Sequence, residues 1–382
     1  MAASSRRGAR RGAGVAATLG FVLLLLPAAR AQEIAFPGGV IWQIRVDPPP
    51  IQIPAFDTHS AYLVLRDGNV RAIDHATGET RWTAPATSTV RPVASGRHLA
   101  GADGSAAWAL DALTGRSAWR RDLGAKAAVP PVAVPAGAVF LTDGGDLVLL
   151  DWDGGREAWR ARMPAKVSAP LAAGGDRVWV GLDDGRILAI RTADGTVAWT
   201  RSLGAGVLGM TAIDDRLLAG SSDNFLYALK VRDGNIAWRW RTGGDVTGQA
   251  VADERRVYFT SRDAMLRAVD RRHGDLRWQR PLATRAVGAP LLAGTKVIVA
   301  GVLPQLGAFR ASDGGLTASV ALPGRPLHGP FLAPETASAP ARLLVLSAGG
   351  HLMAIGQTVE PMLVPLDVLP GRKLPPEVLI IR

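Results

Sequence analysis

Side chains able to do chemistry are few in this sequence, and their spacing is poor for a reactive site. The histidines His59, His75, His98, His273, His328 and His351 show no two-residue metal spacing. His75 and His273 fall at variable turn positions, so the histidines read as solvated turn or loop residues. Asp151-Trp152-Asp153 with Gly155 resembles part of a calcium loop, but the other ligand positions and the terminal Glu are missing. The same turn recurs elsewhere in the chain. Cysteine is absent, which excludes disulfides and thiolate metal sites. No nucleophile elbow, phosphate loop or paired-carboxylate pattern occurs. No catalytic, cofactor-binding or metal-ligating residue is therefore assigned, and no cofactor is expected.

The residues that do recur at fixed spacing are Gly and Trp. A segment Ala-apolar-Asp, three residues, Gly, three residues, Trp repeats through the chain. Its glycines are Gly78, Gly115, Gly155, Gly195, Gly234, Gly274 and Gly314, at intervals of 37, 40, 40, 39, 40 and 40 residues. Its tryptophans are Trp82, Trp119, Trp159, Trp199, Trp238 and Trp278, and Ala318 stands where the next is due. Such regularity is the mark of a repeat architecture. Each period holds short β-type runs broken by turns, as in Arg177–Gly181, Asp183-Asp184-Gly185 and Arg186–Ile190. The Asp-Gly pair fits a tight hairpin, the repeat Gly supplies a positive φ, and the Asp before it can accept turn amides. A Trp can bury ~150–250 Å² between neighbouring sheets.

About four strands per period is the pattern of propeller blades, each unable to cover its own faces alone. Seven turns lie between Gly78 and Gly314, and an eighth unit runs from Leu327 to Gly356 without a Trp strand. Gly38 and Trp42 stand 40 residues before Gly78 and Trp82, so this N-terminal strand supplies the missing one. The expected fold is all-β: an eight-bladed β-propeller of four-stranded blades over residues 36–356, its ring closed by the N-terminal strand completing the last blade.

The repeat, seen as Ala-Leu-Asp-Ala-Leu-Thr-Gly-Arg-Ser-Ala-Trp at 109–119, resembles the pyrroloquinoline-quinone-like propeller repeat, the tryptophan-docking motif. The resemblance covers residues 36–356. That superfamily implies either quinoprotein alcohol dehydrogenases or non-enzymatic propellers, notably the propeller subunit of the outer-membrane β-barrel assembly machinery, which is similar in size and blade count. The dehydrogenases hold their cofactor with adjacent cysteines and a calcium ion bound by Glu, Asn and Asp, largely on long insertions. This chain has no Cys, and its blades leave no room for insertions.

Residues 1–31 carry Arg6, Arg7, Arg10 and Arg11, an apolar stretch from Val15 to Ala29, and Ala29-Arg30-Ala31. This reads as a signal peptide cleaved after Ala31, with export to the periplasm or beyond and no transmembrane span after cleavage. Without Cys, the mature chain is not expected to be a lipoprotein. The net charge of +11 falls to +6 beyond the arginine-rich leader, and no Lys/Arg run points to nucleic acid. Arg81, Arg120, Arg121, Arg160, Arg201, Arg239, Arg241, Arg277 and Arg280 flank the Trp strands, where edge charges discourage sheet-to-sheet pairing. Asp47-Pro48-Pro49-Pro50 reads as a stiff linker. In the tail, 357–382, Pro361, Pro365, Pro370, Pro375 and Pro376 break an apolar sequence that cannot form a helix. Together these features imply an exported, monomeric, non-catalytic scaffold or adaptor that binds another envelope protein, in outer-membrane protein assembly. A quinone-dependent dehydrogenase-like or envelope-polysaccharide-binding propeller is the alternative.

Overall fold

In the computed structural model, residues 38–246, 250–336 and 339–357 are described; the leader 1–31 and all but the first residue of the tail lie outside them. The strands follow from local pattern. In blade 1, β2 (Ala55–Phe56), β3 (Ser60–Val64), β4 (Asn69–Asp74) and β5 (Thr80–Pro85) form an antiparallel meander in the order β2-β3-β4-β5. β3 is buried along its whole length because neighbouring blades cover both its faces. The fourth strand of a blade lies at the outer edge and is largely exposed: in Ser117–Asp122 only Trp119 is buried.

Blades 2 to 7, strands β6–β9 through β26–β29 over residues 93–321, repeat this order. Blade 8 takes β30 (Phe331–Ala333), β31 (Arg342–Ser347) and β32 (His351–Gly356) from the C-terminal side, and β1 (Gly39–Arg45) from the N-terminal side. β1 pairs antiparallel with β32, Gly39 opposite Gly356, Trp42 opposite Ala354 and Arg45 opposite His351. The molecule is an eight-bladed propeller closed as its sequence implies.

First strands of successive blades are neighbours and ring the axis. The apolar core is divided between blade interfaces. One cluster joins Val139, Leu141 and Leu149 of blade 3 to Val178, Val180, Leu188 and Ile190 of blade 4, and equivalent clusters follow around the ring. Each fully buried aliphatic side chain contributes ~1.5–3 kcal/mol, so adhesion between blades is the main source of stability.

Candidate functional site

The recurring Trp and Gly meet across blades. Each tryptophan lies against the glycine turn of the following blade: Trp42 on Gly78, Trp82 on Gly115, Trp119 on Gly155, Trp159 on Gly195, Trp199 on Gly234, Trp238 on Gly274 and Trp278 on Gly314. A Cβ at any of these glycines would stand 2.5–2.8 Å from the indole, so the glycine is needed for contact as well as for its φ of +64° to +79°. Each indole Nε1 also donates 2.9–3.0 Å to the carbonyl one residue past the repeat Asp position: His75, Ala112, Trp152, Thr192, Val231, Arg271 and Ala311 in turn. The repeat Asp braces the turn from inside. Asp74 Oδ1 accepts Ala76 N at 2.7 Å and Thr77 N at 3.2 Å. Asp151 does likewise with Gly154 N at 2.9 Å and Arg156 N at 3.1 Å, so the calcium-loop fragment uses its carboxylate within the turn.

Ala318 has a positional reason. A tryptophan there would need the third-to-fourth-strand turn of blade 8, and blade 8 has none, because β32 ends at Gly356 and β1 is supplied from the other end of the chain.

Several arginines of the outer strands do more than decorate an edge. Two residues beyond its tryptophan, Arg201 donates to Gly234 O at 2.7 Å and Asn235 Oδ1 at 2.5 Å. Arg280 reaches Gly314 O at 3.1 Å and Asp313 O at 2.6 Å. These join the same blades that the indoles join. Arg81 and Arg277 pair within their blades with Asp74 at 3.5 Å and Asp270 at 2.6 Å.

The histidines are not uniformly solvated. His59 and His273 are exposed, but His75 and His328 are buried, and His98 stacks on Trp152 at 4.9 Å. Packing at the seam between blades 8 and 1 overrides the turn position: Phe56 stacks on Phe331 at 4.1 Å with His75 and His328 beside it. Burial lowers the pKa of both histidines to about 4. For His75 the Ser60 carbonyl and the charges of Asp57 and Asp74 oppose the shift, and for His328 the nearby Arg91 adds to it. Arg342 ties the seam by donating to His75 O and Ala76 O, each at 3.0 Å.

Two surfaces could receive another molecule. An axial cavity of about 870 Å³ is lined by the segments entering the first strands of all eight blades. The second is at the outer rim. Two residues beyond the repeat glycine, blades 4 to 8 carry Val197, Ile236, Leu276, Leu316 and Val40, all 39–65% exposed, where blades 1 to 3 carry Thr80, Ser117 and Glu157. Repetition places these five apolar side chains at equivalent points on five successive blades, at the start of each outer strand. Sequence reasoning misses this one-sided arc because each residue by itself is an ordinary strand former; the signal lies in aligning the repeats and comparing that single position across them.

The sequence matches the family described as outer membrane protein assembly factor BamB over residues 4–107, 102–240, 143–288 and 226–359. The chain belongs to the BamB family. The BamB structure from Moraxella catarrhalis is similar at 21% identity and a TM-score of 0.70, covering 84% of this chain and 99% of that one. The computationally designed Ika8 protein is similar at 12% identity and a TM-score of 0.71, covering 84% and 100%. Quinohemoprotein alcohol dehydrogenase from Comamonas testosteroni shares the fold at 12% identity and a TM-score of 0.68, covering 84% and 77%. No curated protein matches the sequence.

The dehydrogenase likeness raises the question of whether this BamB-family ring suits a calcium-bound quinone. Its donor set does not fit. The axial cavity is lined by prolines, aliphatic side chains, Phe56, Phe331, Gln52, Arg91 and His328, with no carboxylate among its described lining residues to hold a divalent cation. Among the described residues no helix is long and apolar enough to cross a membrane.

Proposed function

We propose that the chain is an exported, non-catalytic propeller that binds another protein of the bacterial cell envelope and serves as a scaffold in outer-membrane protein assembly. Membership of the BamB family supports the envelope setting. The observation that carries protein binding is the apolar arc of Val197, Ile236, Leu276, Leu316 and Val40. Such residues gain nothing by exposure, and a one-sided series of them is suited to burial against a partner. The polar equivalents Thr80, Ser117 and Glu157 show that the blade does not require an apolar residue there.

The test is association with a purified β-barrel assembly complex that lacks its propeller subunit. The wild-type protein is expected to bind. A variant carrying threonine at 197, 236, 276 and 316 is expected to fold and to bind at least about tenfold more weakly, a loss of roughly 1.4 kcal/mol or more. Equal binding by the two would remove the arc from the interface, and no binding by either would remove the assembly role. Calorimetric titration with pyrroloquinoline quinone and calcium should show no saturable heat; calcium-dependent binding would replace this reading with the dehydrogenase one.

A further inference from the structure

An axial channel is a geometric necessity of an eight-bladed ring, so the composition of its wall, rather than its existence, is informative. Here the wall is mostly apolar, with Pro92, Pro130, Pro131, Pro170, Pro290 and Pro330 facing the axis. Three lining side chains carry strong hydrogen-bonding groups. Gln52 is engaged, donating Nε2 to Ser88 O at 3.2 Å. Among the described residues, the Arg91 guanidinium and His328 Nε2 have no partner.

Arg91 is the one charged residue in the described lining, and no carboxylate accompanies it. Solvent reaches it through the channel, yet the surrounding protein desolvates it enough to lower its pKa. Its guanidinium makes no hydrogen bond or ion pair with any described residue. With no carboxylate in the described lining, its fork is left to solvent or to a bound anion. His328 is 6% exposed. Its Nδ1 donates to Gly329 O, which fixes the neutral tautomer and leaves Nε2 as an acceptor. That Nε2 is buried and has no partner among the described residues.

We propose that the axial channel binds a carboxylate monoanion with an apolar body. The guanidinium fork of Arg91 matches a carboxylate. With a single cation and no second positive group among the described lining residues, a dianion such as phosphate would keep uncompensated charge in an apolar channel. The prolines and the stacked Phe56–Phe331 pair suit the apolar body. A chain end or a free small carboxylic acid would present the same chemistry. This site is separate from the outer rim and does not depend on the scaffold role.

The probes are N-acetyl-phenylalanine, its neutral amide, inorganic phosphate and a peptide ending in phenylalanine, titrated into the purified protein. The acid is expected to bind, the amide at least about tenfold more weakly, and phosphate not to compete. Arg91→Gln should lose at least about tenfold in affinity for the acid, while binding to the barrel assembly complex stays unchanged. Because Arg91 makes no bond to any described residue, Arg91→Gln should melt no lower than wild type. Resonances of Arg91 and His328 in the wild-type protein should shift on titration, independently of any variant. A tighter peptide would mark a chain end as the source, and equal affinity a free acid. The proposal is overturned by equal binding of acid and amide, by wild-type affinity in Arg91→Gln, by displacement with phosphate, or by no binding at millimolar acid.

Discussion

The repeat glycine performs two tasks that can be separated by substitution. Gly155 has φ +64° and its missing Cβ would meet Trp119 at 2.6 Å, whereas Gly104 has φ +59° and nothing within 4 Å. Alanine at either position incurs the left-handed backbone cost of about 1–2 kcal/mol. Only at Gly155 does it also push the indole from its seat and from the Trp152 carbonyl. Gly155→Ala is therefore expected to cost about 2 kcal/mol more than Gly104→Ala, as read from urea unfolding of the two variants. The φ requirement was legible in the sequence, because a Gly recurring at the end of an Asp-led turn points to left-handed backbone. The steric requirement was not, since it involves an indole about 36 residues earlier whose position depends on the ring.

At the scale of elements, the seam between blades 8 and 1 differs from the other interfaces by holding buried, neutral histidines. In the unfolded chain a histidine binds its proton near pH 6.5, whereas in the fold His75 and His328 do so at about 4. Between these values the unfolded state holds more protons, so stability falls as pH falls from about 6.5 toward 4 and is complete above that window. Each histidine would account for roughly 2 kcal/mol after allowing for relaxation of its surroundings. Denaturation midpoints at pH 7.5 and 4.5 should reveal this loss, and His75→Leu should reduce it by about half; an unchanged difference would mean that the seam does not carry it. The groups around His75 are Asp57, Asp74 and Arg342, and the one facing His328 is Arg91. Turn position suggests solvent for His75 because local sequence cannot show that Phe331, from the far end of the chain, packs beside it. The ties made by Arg201 and Arg280 are hidden for the same reason, since their acceptors lie on the next blade. Blade number, strand order and the closing strand were all readable, being encoded in turn residues that recur within each period.

For the whole molecule, closure rests on β1. Removing residues up to 46 should strip blade 8 of its outer strand, uncover the edge of β32 and take Trp42 from Gly78. Light scattering is expected to show self-association through the uncovered edge, and a synthetic peptide of residues 36–47 should return both the scattering and the melting temperature to those of the untruncated protein. A truncated chain that scatters light as the untruncated protein does and is equally stable would show that the other seven interfaces hold the ring unaided.

Because Gly39 pairs with Gly356, the first described strand to leave the ribosome has its partner among the last. β1 must wait, unpaired and bearing Trp42, while more than three hundred residues emerge and stack into blades. The remaining pairings are hairpins within about forty residues and can form as the chain appears. Folding is thus ordered in time, with local blades early and the long-range strand pairing last, and an unfinished chain cannot pass for a finished one.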